Sequence, residues 1–493
     1  MTASPENNTP SRSKRTLLLV GLIAIFAVGT FLAAALTTNI FHRKMEERNP
    51  YVIFIEVDED TTDPAAWAIN FPRQYESYMR TTDSERTRYG GSDAIPKQKL
   101  DSDPWLRMMW SGYAFAIDYR EARGHAYMLS DQDHTRRVLE RPQPGACLHC
   151  HSSVMPAYRH LGDGDVMEGF RQLSAMPWDE ARNITDEHGE MLINHPASCV
   201  DCHDPDTMRL RVTRPAFKVG IAKYMEHERG IEDYDVNRDA TRQEMRTFAC
   251  AQCHVEYYFD PDDHNIVTYP WAKGLRVEQQ EAYYDEIGFN DWTHQLTGGG
   301  MLKAQHPEFE LYMQGSHARA GVSCSDCHMP YKREGAMKVS DHHVRSPLLN
   351  IAASCQTCHN VDEAELLDRV HTIQDRTRAL QDRAGEALVA LIETIVAAQT
   401  AGASQEDLAD ALALQRKSQW RIDWVYSENS MGFHAPQESA RILAEALDYA
   451  RQGEVAARRA APNLVREPVT PPEIESATPD EYAPPGPYSH PRE

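Results

Sequence analysis

Cys147-Leu148-His149-Cys150-His151 is the first of five Cys-x-x-Cys-His pentads, and these pentads decide how the chain folds. The others are Cys199-Val-Asp-Cys202-His203, Cys250-Ala-Gln-Cys253-His254, Cys324-Ser-Asp-Cys327-His328 and Cys355-Gln-Thr-Cys358-His359. Together they take up all 10 cysteines of the 493-residue chain. Two thiols three positions apart both reach the vinyl groups of one porphyrin, and the following His then lies under the iron. The pattern is the attachment signature of c-type haem. A zinc site or a redox dithiol does not require a His after every second Cys. Structural disulfides do not require constant spacing. The pentads therefore predict five covalent haems, with His151, His203, His254, His328 and His359 as proximal ligands.

The formal net charge of −23 excludes nucleic acid as a partner, since that needs a basic surface. It suits a solvated body that attracts basic partners. At the N-terminus, Arg12-Ser-Lys14-Arg15 precedes an uncharged apolar run from Thr16 to Leu36. A basic flank before such a run marks export, as a cleaved signal or a retained anchor. The run is long enough to span a bilayer. Leu36-Thr-Thr-Asn39 at its end is no Ala-x-Ala cleavage site, which favours the anchor. The haem-bearing body is then expected on the periplasmic side of a bacterial cytoplasmic membrane, where c-type haem is attached.

Four regions are expected. Residues 1–42 are a basic stub and membrane segment, and residues 43–360 hold the pentads. The Pro-, Gly- and Asp-rich sequence between pentads suggests loops and short helices. The short gap between His328 and Cys355 makes the last two haems neighbours. Residues 361–460 read as helices. Leu366, Val370, Ile373, Leu380, Leu388, Leu391 and Ile395 recur at helical steps. A break at Ala401-Gly402-Ala403-Ser404 starts a second helix to about Tyr426, and a third runs from Gln437 to Ala460. The apolar stripe fits either an intramolecular bundle over the haems or a dimer interface. Residues 461–493 are Pro-rich and are expected to be a disordered tail. The expected fold class is mainly α, a multihaem cytochrome c with little β and long C-terminal helices.

A haem that only carries electrons usually has two axial ligands, whereas a catalytic haem keeps one position open. Of the 22 histidines, 17 lie outside the proximal set, so counting does not separate the two cases. Local context does. Lys303-Ala-Gln305-His306-Pro-Glu-Phe-Glu, running through Gln314-Gly-Ser-His317-Ala-Arg to Cys324, resembles the ammonia-forming cytochrome c nitrite reductases. So do Cys253-His254-Val-Glu256-Tyr257-Tyr-Phe, Asp341-His342-His343-Val-Arg-Ser-Pro347, Arg123-Gly-His125-Ala-Tyr and Gly432-Phe-His434-Ala-Pro436. These segments cover about residues 105–436.

The resemblance implies that the first pentad holds the active-site haem, where most of the family carries Lys and this chain carries His151. It implies distal ligands His343 for the second haem and His125 for the third. His317 and His434 serve the fourth and fifth, with their pairing open. The pocket over the first haem would contain Arg137, Tyr257 and His306, with Arg136 replacing Arg137 if the alignment slips by one. A guanidinium suits an anion, and a His donates protons near neutral pH. One calcium ion is implied, held by Glu256, by the carbonyls of Tyr257 and Lys303, and by Gln305; hard oxygen donors fit it. The competing reading of Glu256 is a salt bridge.

The implied activity is six-electron reduction of nitrite to ammonium, with electrons from a quinol-linked cytochrome and a homodimer formed through the C-terminal helices. Two other functions compete: a pentahaem electron carrier with every iron six-coordinate, and a related reductase acting mainly on hydroxylamine or sulfite. The eight-haem hydroxylamine-oxidising type is excluded by the count of pentads.

Overall fold

The computed structural model describes residues 12–46, 53–335 and 337–470. The chain divides into two compact units. In the first, a single helix spans Arg12–Glu46, and its Arg12–His42 stretch is long and apolar enough to cross a bilayer. The expected N-terminal stub before Arg12 and most of the expected tail lie outside the described residues.

Among the described residues the second unit comprises 55–331 and 340–470, so the haem-bearing region and the C-terminal helices form one compact body. It is helical, with only short antiparallel pairs of strands among the described residues. One pair, Tyr258–Asp260 with Ile266–Thr268, follows directly from the third pentad and its Glu256-Tyr257. Strand is scarce because the pentads impose turns of helix instead. Leu148–His151, Cys199–Cys202 and Cys324–His328 are each a single helical turn, and the third pentad begins within the last turn of helix Arg242–Ala251. The local sequence caps these turns. In the second and fourth pentads the Asp between the cysteines accepts the backbone amide of the preceding Ser, Asp201 from Ser198 and Asp326 from Ser323, both at 2.8 Å.

Three helices close the body: Glu363–Thr400, Ala409–Ser427 and Pro436–Ala460. The first and third are amphipathic, burying Leu388, Leu391, Ile392 and Ile395 against Ile442, Leu443, Ala446 and Ala450. The middle helix is buried on nearly all sides from Gln415 on, and carries Trp420 and Trp424 at 0 % exposure. A helix enclosed in this way shows no polar face in its sequence. The bundle is therefore intramolecular, as the apolar stripe allowed.

One close approach bears directly on the haem-facing residues. A Cβ at Gly315 would lie 2.0 Å from the carbonyl oxygen of His434. Gly315→Ala is expected to cost about 1–3 kcal/mol by overpacking against backbone that cannot rotate away. Thermal unfolding of the holoprotein, compared with wild type, checks it.

Candidate active site

Three of the five proximal histidines are oriented by hydrogen bonds from Nδ1. His151 bonds the carbonyl of Met128 at 2.9 Å, His203 that of Met208 at 3.0 Å and His328 that of Arg345 at 3.0 Å. Each bond leaves Nε2 as the ligating nitrogen, the usual second-shell arrangement for a metal-bound imidazole.

Four of the five proximal rings face a second imidazole. The ring centroids are 6.2 Å apart for His254 and His125, 6.1 Å for His203 and His342, 6.4 Å for His328 and His434, and 6.2 Å for His359 and His317. Two imidazoles sharing one metal, each at about 2 Å, place their ring centres about 6 Å apart. The residues therefore fit haem on a measured spacing. Among the described residues no imidazole is paired in this way with His151.

The pairs assign His434 to the fourth pentad and His317 to the fifth. They also correct one expectation, because His342, and not His343, faces His203. Adjacent side chains of an extended segment point to opposite sides, so only one of the two can do so. His342 is fixed by its Nδ1 bond to Ser340 O at 2.9 Å and by its amide bond to Ser77 Oγ at 3.0 Å. The His343 ring turns to Glu85 instead, with Nε2 3.5 Å from Oε2.

The pentads do not follow chain order in space. Cys150 neighbours Cys253, and Cys250 neighbours Cys324. Cys202 neighbours both Cys250 and Cys253. Ser354 Oγ donates to Cys327 O at 2.8 Å, joining the last two pentads as their spacing predicts. The path is first, third, fourth, fifth, with the second beside the third. Arg214, 0 % exposed, locks the first and second pentads together. Its guanidinium pairs with Asp201 at 2.8 Å and donates to His149 O at 2.5 Å and Ser152 O at 2.7 Å.

Around His151 the expected side chains converge. Arg137 stacks 4.2 Å over the Phe115 ring and donates to Asp118 O at 3.1 Å. Its charge acts on His151, Cys147 and Tyr113. No carboxylate is ion-paired with it among the described residues. Arg136 differs: its side chain is engaged by Glu140 at 2.5 Å and its amide by Asp118 at 2.8 Å. Tyr257 neighbours Cys147, Cys150 and Tyr113, and burial raises its hydroxyl pKa well above the usual value. Burial lowers the His306 imidazole to about 4, and His151, His254 and Glu308 are among its neighbours. Tyr113, which also bonds Gln305, belongs to this group and was not legible in the sequence.

The segment carrying His306 is anchored from below. Lys303, 1 % exposed, reaches Asp423 on the middle C-terminal helix at 2.9 Å and Ser427 Oγ at 3.0 Å. The other Asp423 oxygen accepts Trp110 Nε1 and the Ala304 amide, both at 3.1 Å. With the Lys303 side chain drawn there, Glu256 has no ion-pair partner among the described residues. Its oxygens accept the Gln305 amide at 2.6 Å and the Tyr284 hydroxyl at 3.1 Å. Burial pushes Glu256 well above the usual carboxylate range, and the nearby carboxyls of Glu310 and Asp291 add to the rise. Asp291 itself, which accepts the Lys303 amide at 2.7 Å, is raised by burial to about 7. Buried carboxylates gathered with no ion pair to any of them among the described residues are a donor set suited to a hard divalent ion.

A family model described as cytochrome c552 matches residues 63–484. The chain belongs to the cytochrome c552 family. It is 36 % identical over 457 residues to a cytochrome c-552 of Parabacteroides distasonis, covering 91 % of this chain and 85 % of that one. It is 35 % identical over 456 residues to a cytochrome c-552 of Desulfotalea psychrophila, covering 89 % and 82 %. Among solved structures it superposes on the catalytic subunit of the cytochrome c nitrite reductase of Desulfovibrio desulfuricans, described with two calcium sites. That match has a TM-score of 0.74 and 30 % identity, covering 85 % of this chain and 92 % of the other. The mainly helical multihaem fold expected from the pentads is that of this family.

Proposed function

We propose that this cytochrome c552 reduces nitrite to ammonium in the pocket over His151, a six-electron, eight-proton reaction. The observation that carries the reading is the imidazole pairing: four proximal histidines face a second ring at 6.1–6.4 Å and, among the described residues, His151 faces none. The five pentads would hold five haems that supply one-electron transfer, and His151, with no second imidazole facing it among the described residues, would hold the one at which a substrate could bind. Likeness to the nitrite reductase of Desulfovibrio desulfuricans supports nitrite as that substrate.

In this reading His125, His342, His434 and His317 would help hold the third, second, fourth and fifth haems together with the proximal histidines they face. Arg137, with no carboxylate partner among the described residues, binds the nitrite oxygens through a permanently charged fork. His306 carries protons to the substrate. Its burial favours the neutral ring, and an anion arriving beside it restores the imidazolium. The Tyr257 hydroxyl is a further donor. Glu256, the Tyr257 and Lys303 carbonyls and Gln305 would hold one calcium ion, whose charge would offset the buried carboxylates beside the segment leading to His306. The helix Arg12–Glu46 serves as a membrane anchor with the body on the periplasmic side, where a quinol-linked cytochrome delivers electrons. Two copies pair through the C-terminal helices.

Spectroscopy of the ferric holoprotein tests the site. Four low-spin haems and one high-spin haem that changes on adding nitrite are expected; five low-spin haems would indicate an electron carrier instead. Arg137→Ala is expected to raise the apparent KM for nitrite about 10- to 100-fold, the loss of a charged hydrogen bond worth about 1.5–3 kcal/mol. Arg136→Ala should leave KM unchanged, and steady-state kinetics on both variants checks the assignment.

A further inference from the structure

The paired imidazoles differ in what their Nδ1 nitrogens meet. Both rings of the second pair bond backbone carbonyls, His203 to Met208 and His342 to Ser340. His328 of the fourth pair does the same, to Arg345. Its partner His434 does not: its Nδ1 lies 2.6 Å from Glu428 Oε1. The Glu428 side chain is 0 % exposed. It accepts the Ser430 amide at 3.0 Å on Oε1 and the Ser430 hydroxyl at 2.8 Å on Oε2. The His434 amide in turn donates to Ser430 Oγ at 2.9 Å. Both hydrogen bonds of this carboxylate are ones in which it accepts, the His434 Nδ1 contact is at ion-pair distance without hydrogen-bond alignment, and no Lys or Arg is ion-paired with it among the described residues. The nearest comparable contact, Glu308 to His254 Nδ1, is longer at 3.8 Å, and the same Glu308 oxygen is occupied by Asn429 Nδ2 at 2.5 Å.

A buried carboxylate this close to Nδ1 places a full negative charge beside the ring and would stabilise the more positive state of a metal bound at the opposite nitrogen. A carbonyl dipole does this less, because it carries no net charge. We propose that Glu428 is a positioning residue that lowers the reduction potential of the haem at Cys324–Cys327 below that of the haem at Cys199–Cys202. The fourth pentad adjoins the third through Cys250 and Cys324, and the third adjoins the first through Cys253 and Cys150. A low potential at the fourth site therefore makes electron flow toward the first pentad downhill, and keeps the second as a more easily reduced side station. The inference rests on the pairing of His328 with His434 and not on which substrate is reduced, so it stands or falls separately from nitrite turnover.

The test is a redox titration of the full-length holoprotein followed by EPR, in wild type, Glu428→Gln and Ser430→Ala. In Glu428→Gln one low-spin haem is expected to gain at least a tenfold shift toward the reduced form, about 59 mV for one electron, with the other four unmoved. Ser430→Ala keeps the carboxylate and should leave that potential where it was. An unchanged set of potentials in Glu428→Gln overturns the proposal. So does an equal rise in both variants, which would trace the effect to packing. If Glu428→Gln fails to retain five haems, Glu428→Asp is titrated instead; drawing the carboxylate back should raise the same potential, and no rise overturns the proposal.

Discussion

His306→Ala lowers nitrite turnover by about 10²- to 10⁴-fold, the range for losing a positioned proton donor, while all five haems stay attached. The expectation follows from the surroundings of His306. The ring sits among His151, His254 and Glu308, and burial holds it neutral until an anion is present. Replacing it removes the proton carrier and leaves Arg137 to bind the substrate, so kcat should fall far more than KM rises. Its position on a segment anchored through Lys303 and Ala304 makes the loss local. Haem content by pyridine haemochrome, measured beside steady-state kinetics, separates this outcome from misassembly. Wild-type turnover in the variant would remove His306 from the chemistry.

Asp423→Ala is expected to destabilise the protein by about 3–5 kcal/mol, the cost of leaving a buried charge without its partner. Lys303 is 1 % exposed and its ammonium has no other carboxylate within ion-pair distance among the described residues. The substitution also strips acceptors from Trp110 Nε1 and the Ala304 amide. Because that amide belongs to the chain leading to Gln305 and His306, calcium retention and turnover should decline together with the melting temperature. Calorimetry and calcium content by atomic emission measure the two effects. A melting temperature equal to wild type would show that Lys303 finds another partner.

The pentads made the fold class legible because each fixes a turn, two thioethers and a ligand in five consecutive residues. The outer C-terminal helices were equally legible. Leu388, Leu391 and Ile395 mark a stripe, Glu363–Thr400 ends at the break at Ala401, and Pro436–Ala460 begins at Pro436. The middle helix could be bounded but not oriented, since enclosure on all sides erases the amphipathic signal. What sequence could not give is contact between distant residues. Lys303 and Asp423 are 120 positions apart, and nothing near either announces the other. The register of His342 and His343 failed for a local reason: the segment is irregular, and only the side to which each ring turns decides which one faces His203. Tyr113 was hidden among Trp110, Phe115 and Tyr119, an aromatic run that reads as packing and mostly is.

The measurement closest to the central claim is anaerobic turnover of the purified holoprotein with reduced viologen and nitrite, counting electrons consumed and ammonium formed. One ammonium for every six electrons, with no nitric oxide or hydroxylamine released, is the expected result. Absence of nitrite-dependent oxidation from a protein carrying all five haems, every one low-spin, would contradict the account.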